Sequence, residues 1–152
     1  RGPSVFAGYL DNADANDAAF EPDPDGRGNW FRTGDLAVIN SEGFVQLTGR
    51  SKDIINRGGI KYNPADIEAL LLQHGKITQA AIVPYPDDVL GERACLFIVP
   101  SVAGTPHLEE VCEYLEMNNV SKYKWPERLE TIEEMPLTPT RKIIKGRLIE
   151  RL

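Results

Sequence analysis

The distribution of apolar residues predicts one β-hairpin in the first third of the chain and one helix after it. Two runs rich in strand-forming residues, 35–39 and 44–48, flank a short joint of turn-forming residues. Asn63 and Pro64 then supply a helix N-cap and a first-turn proline, and apolar residues recur on one face after them. The pattern therefore predicts a hairpin followed by a helix over residues 64–73.

The second half of the chain carries further strand and helix patterns. Short apolar runs over residues 77–84 and 93–99 are typical of buried strands. A second helix is expected to begin near Pro106, because apolar residues follow it at the i, i+3, i+4, i+7 spacing of a buried stripe. Residues 128–133 alternate as an edge strand does, and residues 141–148 are expected to be helical. This order predicts a small α+β fold.

One segment lacks any such periodicity. Residues 11–28 combine many acidic side chains with prolines and glycines, which predicts a solvated loop.

Composition narrows the class of protein. The 152 residues correspond to about one domain, and 41% hydrophobic with 26% charged residues is ordinary for a globular chain. A net charge of −6 disfavours a nucleic-acid partner.

Cys95 and Cys112 predict reduced thiols, with Cys112 in the core stripe of the second helix. No apolar run is long enough to span a membrane and no signal pattern is present, so we expect a cytoplasmic protein. The missing initiator Met predicts a fragment.

Three short stretches carry more polar and glycine residues than their local structure requires: 33–35, 49–61 and 138–142. Asp35, between a turn and an apolar strand, could accept hydrogen bonds from both ribose hydroxyls of a nucleotide or could bond nearby backbone N–H groups. Gly58 and Gly59 permit close approach of a ligand to the main chain, and equally an ordinary turn.

The basic residues and the histidines limit the kinds of binding site that the sequence predicts. The basic residues of the C-terminal segment form either a solvated helix face or a nucleic-acid arm. The absence of an interleaved aromatic side chain for base stacking disfavours the arm. His74 and His107 lie far apart in the sequence without ligand-type neighbours, so no metal site is predicted. Gly-Lys-Ser and Gly-Lys-Thr do not occur, which excludes a Walker A loop.

Taken together, the order of these stretches resembles the adenylate-forming family of acyl-CoA synthetases, adenylation domains and luciferases. The resemblance rests on Trp30-Phe-Arg-Thr-Gly-Asp35, on Gly49-Arg-Ser-Lys-Asp-Ile-Ile-Asn-Arg-Gly-Gly-Ile-Lys-Tyr-Asn-Pro-Ala-Asp-Ile-Glu68 and on Pro136-Leu-Thr-Pro-Thr-Arg-Lys142. It implies that residues 1–50 end a large AMP-binding domain and that residues 51–152 form the rotating C-terminal lid domain. The implied lid is a small mixed three-stranded sheet packed against helices.

By this resemblance the parent enzyme uses ATP and Mg²⁺ to convert a carboxylic acid to an acyl-adenylate and then transfers the acyl group to coenzyme A. Lys142 would be the catalytic lysine of adenylation and Lys52 the hinge about which the lid rotates. The family usually has Gly where this chain has Arg141. Five residues are implied to bind nucleotide or coenzyme A: Asp35, Arg50, Gly58, Gly59 and Lys61.

The acid is expected to be fatty, alicyclic or aryl. In this family the acyl pocket and the phosphate loop lie upstream of the stretches present here, so Mg²⁺ would be bound mainly by the large domain and the chain alone is expected to be inactive. Two alternatives stay open: an adenylation domain that loads a carrier protein, and a non-enzymatic interaction module with the same fold.

Overall fold

A computed structural model describes residues 2–26 and 28–152 of the chain. Arg1 and Arg27 lie outside the described residues, and Arg27 belongs to the predicted loop over residues 11–28. The chain divides into two compact units, Arg1–Leu47 and Thr48–Leu152.

The prediction of a solvated loop over residues 11–28 is wrong for residues 13–22, which form regular structure. A short helix α1 (Ala13–Ala19) is followed by strands β1 (Phe20–Pro22) and β2 (Asn29–Phe31), which pair antiparallel. Asn12 Oδ1 accepts a hydrogen bond from the backbone N–H of Ala15 at 3.0 Å and so caps the helix.

Aromatic packing explains why this polar segment folds. The rings of Phe6, Tyr9, Phe20 and Phe31 form a cluster in which contacting ring centroids are 5.1 to 5.2 Å apart. Three of these contacts have the edge-to-face geometry that aromatic pairs favour. Phe20 and Phe31 also face each other across the β1–β2 pair.

The predicted hairpin is confirmed as strands β3 (Asp35–Ile39) and β4 (Val45–Arg50). Asn40 organises the turn, because its Oδ1 accepts hydrogen bonds from the N–H groups of Glu42 at 3.0 Å and Phe44 at 2.9 Å. Several large apolar side chains around this turn are exposed: Val38, Ile39, Phe44, Val45 and Leu47.

The second unit is built on a five-stranded sheet. Its strands are β5 (Ile55–Arg57), β6 (Ile60–Tyr62), β7 (Ile77–Asp87), β8 (Gly91–Pro100) and β9 (Arg128–Thr131). The strand order is β6-β5-β8-β7, and β9 pairs parallel with β8 over Cys95–Ile98. The implied mixed three-stranded sheet is therefore present as β7, β8 and β9, and the β5–β6 hairpin extends it, which confirms the α+β fold.

Three α-helices pack on this sheet: α2 (Ala65–Leu71), α3 (Leu108–Met117) and α4 (Lys145–Ile149). Single 3₁₀ turns occupy Ser51–Asp53 and Lys122–Lys124. Asn63 Oδ1 accepts from Ala65 N–H at 3.0 Å, so the predicted asparagine does bond at the start of α2. In the part of the chain that is described, no helix is long and apolar enough to cross a membrane.

The last helix begins later than predicted. Residues 141–144 are not helical, because Arg141 has a φ of +62° and hydrogen bonds from its neighbours hold a loop there. The basic residues of the C-terminal segment therefore do not lie along one helix face.

The β7–β8 hairpin is buried on both faces. One face packs with α2 and α3 around Ile82, Leu96 and Leu115, and the other packs with α4 around Phe97 and Leu148. Both cysteines are free thiols. Cys95 lies in the second core, whereas Cys112 is only half-buried, so its predicted place in the core is wrong.

Candidate active site

The loop that carries Lys142 is held by its own hydrogen bonds. Thr138 N–H donates to Lys142 O at 2.8 Å, and Lys142 N–H donates to Thr138 Oγ1 at 3.0 Å. Arg141 N–H donates to Thr138 O at 2.8 Å, which closes the turn. The side chain of Lys142 is exposed. The loop therefore presents an ammonium group to solvent from a backbone that three internal hydrogen bonds hold in shape.

Both ends of this loop are attached to the second core. Leu137 and Ile143 form an isolated antiparallel bridge, and Ile144 N–H donates to Pro136 O at 2.8 Å. Met135 before the loop is 2% exposed and Leu148 after it is 0% exposed, which anchors the chain on each side. Burial of two such side chains contributes about 3 to 6 kcal/mol.

Gly58 and Gly59 form the turn between β5 and β6, with φ values of +59° and +85°. Positive φ at both central residues is the geometry of a two-residue type I′ hairpin turn. Gly58 N–H donates to Leu90 O at 2.8 Å, and a Cβ on Gly58 would lie 3.3 Å from Leu90 Cδ2. A Cβ on Gly59 would meet nothing within 4 Å. The positive φ values of this turn favour glycine at both positions, and Gly59 at its tip has room for a side chain.

An ion pair holds this hairpin against the sheet. Arg57 Nε donates to Glu127 Oε1 at 2.7 Å, and Glu127 Oε2 accepts from the N–H of the buried Ala94 at 3.1 Å. Asn56 N–H donates to Glu92 Oε2 at 2.7 Å. The pair is three-quarters buried or more, with side-chain exposures of 25% and 20%. The Gly58–Gly59 turn is thus fixed from the strand that precedes it.

Beside this pair lies the buried ring of Tyr62, next to the exposed Lys61. Burial, together with the negative charge of Glu127, raises the pKa of the Tyr62 hydroxyl to about 12. Among the residues described, this hydroxyl is buried without a hydrogen-bond partner.

Asp35, Arg50 and Lys52 lie before these elements in the chain. Asp35 starts β3, is half-buried, and its N–H donates to Thr33 Oγ1 at 3.1 Å. Arg50 ends β4 with an exposed side chain and an extended backbone at φ −119°, ψ 142°. Lys52 is exposed in the 3₁₀ turn that follows.

The predicted site residues are divided between the two units of the chain. Asp35 belongs to the first unit, and the others belong to the second: Arg50, Lys52, Gly58, Gly59, Lys61 and Lys142. Within residues 2–26 and 28–152, no hydrogen bond or ion pair joins Lys142 to the Gly58–Gly59 turn. These two elements of the second unit are independently supported.

Sequence reasoning missed the ion pairs that support these elements. Arg57 and Glu127 are 70 residues apart in the sequence, and Glu68 and Lys145, which also pair, are 77 apart. No local pattern signals a contact at such separations.

Over the described part of the chain, no group of three or more His, Cys, Asp or Glu side chains is placed to hold a metal ion.

Comparison with known proteins assigns the family. A family model for the AMP-binding enzyme C-terminal domain matches residues 66–142, about half of the chain and ending at Lys142. The chain belongs to this family. The AMP-binding enzyme C-terminal domain is part of adenylate-forming enzymes, as the sequence resemblance indicated.

Two curated relatives and one solved structure show the extent of the likeness. The chain is 40% identical over 149 residues to the medium-chain fatty-acid–CoA ligase of Escherichia coli K12, covering 95% of this chain and 25% of that protein. It is 37% identical over 152 residues to the 2,3-dihydroxybenzoate-AMP ligase of Bacillus subtilis 168, covering 100% of this chain and 27% of that protein. The chain thus spans about a quarter of the length of the curated relatives it matches.

The fold is shared with the ATP-bound MatB of Rhodopseudomonas palustris. The TM-score is 0.84 at 27% sequence identity, over 99% of this chain and 29% of that one. The AMP-binding enzyme C-terminal domain therefore accounts for the small sheet and for the loop that carries Lys142.

Proposed function

We propose that the protein to which this chain belongs is an ATP-dependent acid–thiol ligase that forms an acyl-adenylate and then an acyl-CoA thioester. Residues 51–152 would be its rotating C-terminal domain and residues 1–50 the end of its AMP-binding domain. The observation that carries the proposal is the exposed Lys142 on a self-bonded loop within the family match.

In the adenylation step, a carboxylate oxygen of the acid attacks the α-phosphorus of ATP and the bond to pyrophosphate breaks. The ammonium of Lys142 would stabilise the charge that grows on the α-phosphate oxygens in the transition state. The carboxylate of Asp35 would accept hydrogen bonds from the ribose hydroxyls, and Arg50 would donate to the ribose or phosphate. Because the loop is already hydrogen-bonded, the backbone from which the lysine side chain projects is held in place before substrate arrives.

In the thioester step, the thiol sulfur attacks the acyl carbonyl carbon, AMP leaves, and the thiol gives up its proton. The Gly58–Gly59 turn would border the path of the thiol, with Lys61 beside it on β6. A Cβ built on Gly59 would meet nothing within 4 Å, so the opposite wall of a narrow thiol tunnel would be another surface of the full-length protein. Rotation about Lys52 would exchange the Lys142 loop for this turn at the same acyl group.

We propose a fatty, alicyclic or aryl acid as substrate and coenzyme A as acceptor, with action in the cytoplasm. The likeness to a medium-chain fatty-acid–CoA ligase supports a CoA acceptor. The likeness to a 2,3-dihydroxybenzoate-AMP ligase, whose name does not include coenzyme A, keeps open the alternative of an adenylation domain that loads a carrier protein. Mg²⁺ would accompany ATP, and because the described residues offer no cluster of ligands for it, its ligands would come from other parts of the protein.

The first test replaces Lys142 with Ala in the full-length protein. Loss of a positioned charge should lower ATP–pyrophosphate exchange by about 10²-fold or more. Thioester formation from supplied acyl-adenylate should change little. Lys122→Ala is the matched control, since Lys122 is also exposed but lies in the 3₁₀ turn before β9. Normal exchange by Lys142→Ala would refute the assignment, and no exchange by the wild type with any acid would favour an interaction module.

The complementary test replaces Gly59 with Leu. This variant should lose thioester formation and keep adenylation, because the added side chain would obstruct the thiol and not the lysine loop. Gly43→Leu is a matched control: Gly43 has the same φ of +85° and, like Gly59, no atom near a built Cβ. The two variants carry the same backbone strain, so a defect common to both would be structural. Replacing coenzyme A by a phosphopantetheinyl carrier protein in this assay distinguishes the two acceptors.

A further inference from the structure

Side chains from helices on opposite faces of the sheet meet at the free edge of β7. Lys145 Nζ lies 2.7 Å from Glu68 Oε1 and donates to Ile82 O at 3.2 Å. Ile82 N–H donates to the same Glu68 oxygen at 2.6 Å. We name this group of Glu68, Lys145 and the Ile82 backbone the edge clasp.

The edge clasp is mostly shielded from water. The side chains of Lys145 and Glu68 are 19% and 17% exposed. Each charge has a charged partner and also a backbone partner on Ile82, which satisfies the N–H and the C=O that an edge strand leaves unpaired. Removing one member would leave the other charge largely buried without compensation. The edge clasp therefore has one favoured geometry.

The edge clasp also joins the two helical layers. Glu68 belongs to α2, whose Ile67 and Leu71 lie in the first core. Lys145 is the first residue of α4, whose Leu148 lies in the second core. The strand β7 separates these cores, so the ion pair crosses the edge of the sheet.

The first turn of helix α4 is not stabilised by the helix itself. It has only five residues and no side-chain hydrogen bond at its N-cap. Isolated helices of this length are unstable in water. Lys145 follows Lys142 by three residues, so the edge clasp fixes the point at which the Lys142 loop rejoins the fold. The hydrogen bonds within the loop set its shape, and the edge clasp sets its position on the sheet.

We propose that Glu68 and Lys145 are positioning residues for Lys142 in the adenylation step, which rests on the proposed function. The thioester step uses the Gly58–Gly59 turn, which is held by the separate Arg57–Glu127 pair. Breaking the edge clasp should therefore damage one half-reaction and spare the other.

The test compares Lys145→Met, Lys145→Arg and Glu68→Gln in the full-length protein. Lys145→Met should lower kcat of ATP–pyrophosphate exchange by about 10-fold or more with little change in KM for ATP, because a displacement of about 1 Å is enough for such a loss. Thioester formation from supplied acyl-adenylate should stay within about 2-fold of wild type, because the Gly58–Gly59 turn is not displaced. Lys145→Arg keeps the charge and should restore most of the exchange rate.

Lys76→Met provides a matched control. Lys76 also pairs with a helix glutamate, Glu110, at 2.8 Å, but this pair is away from α4. It should lower the melting temperature without selective loss of adenylation. If Lys145→Met does not fold, Glu68→Gln decides, because its amide oxygen can still accept from Ile82 N–H.

Three results would overturn the positioning role: equal losses in both half-reactions, unchanged exchange in Lys145→Met, or the same selective loss in Lys76→Met. Lys142→Ala separates this proposal from the one on which it rests. If Lys142→Ala abolishes exchange while Lys145→Met has no effect, only the positioning role fails. If Lys142→Ala has no effect, the proposed function fails first.

Discussion

Arg141 occupies the left-handed region of backbone space, with a φ of +62°, in the loop that carries Lys142. Replacing it with Ala and separately with Gly isolates the backbone term, because both variants remove the same exposed side chain. We expect the Gly variant to be the more stable of the two. At ordinary positions the order is the reverse.

The size of the effect follows from two opposing terms. A residue with a Cβ in the left-handed region is destabilised by about 1 to 2 kcal/mol, which Gly avoids. Gly loses more chain entropy on folding, about 0.5 to 1 kcal/mol relative to Ala. The difference leaves Arg141→Gly more stable than Arg141→Ala by about 0.5 to 1 kcal/mol. At Arg147, in the middle of α4, Gly should instead be less stable than Ala by about 1 kcal/mol.

Urea unfolding of the 152-residue chain measures this difference. The two units can unfold separately, so a Trp30→Phe background leaves Trp125 as the reporter of the second unit. Trp125 suits this use because its ring packs on the first core and its Nε1–H donates to Val120 O at 2.8 Å. The comparison requires equal slopes of the free energy of unfolding against urea, so that midpoints alone report stability.

The result that refutes this reasoning is a common sign at the two positions. If Ala is at least as stable as Gly at residue 141, as it should be at residue 147, the Arg141 backbone is not left-handed. The hydrogen bonds between Thr138 and Lys142 would then have to be arranged differently, and the position assigned to Lys142 would change with them.

Two further predictions concern titratable groups. Hydrogen bonds from the N–H of Leu90 and then Val89, with a further one from Arg93, lower the pKa of Asp87. The contribution of Asp87 to stability is therefore complete above the unfolded pKa of about 3.9, and it is lost as the pH falls below that value. In acid titrations of stability, the advantage of wild type over Asp87→Asn should shrink below about pH 4; a constant difference would contradict this. Burial raises the pKa of the Cys95 thiol to about 12, so iodoacetamide at about pH 8 should label the native chain at the half-buried Cys112 first and Cys95 only on unfolding.

The sequence predicts best where a pattern is local. The sequence predicts the β3–β4 hairpin, α2 and the strands β7 and β8, because each is marked by residues within one turn or one strand of each other. The Lys142 loop and the Gly58–Gly59 turn were located through motifs of contiguous residues.

Predictions fail where the stabilising contacts are distant in the sequence. The first unit folds around single aromatic residues such as Phe6 and Phe31, each surrounded by polar positions that carry no period. For the Gly58–Gly59 segment, the sequence predicts an ordinary turn and a ligand site equally well. The flanking strands of three residues are too short to show alternation. The edge clasp joins residues 77 apart, and only the folded sheet brings them together.

The two-sided burial of the β7–β8 hairpin has a consequence for strand register. Neighbouring residues belong to different cores, with Ile82 in one and Val83 in the other. A slip of one residue inverts every side chain of a strand, so it would disrupt both cores at once, whereas a slip in a half-exposed hairpin disrupts one. The exposed β3–β4 hairpin has no comparable penalty. Correct alignment of the sheet that supports the Lys142 loop is thus enforced twice, once from each side.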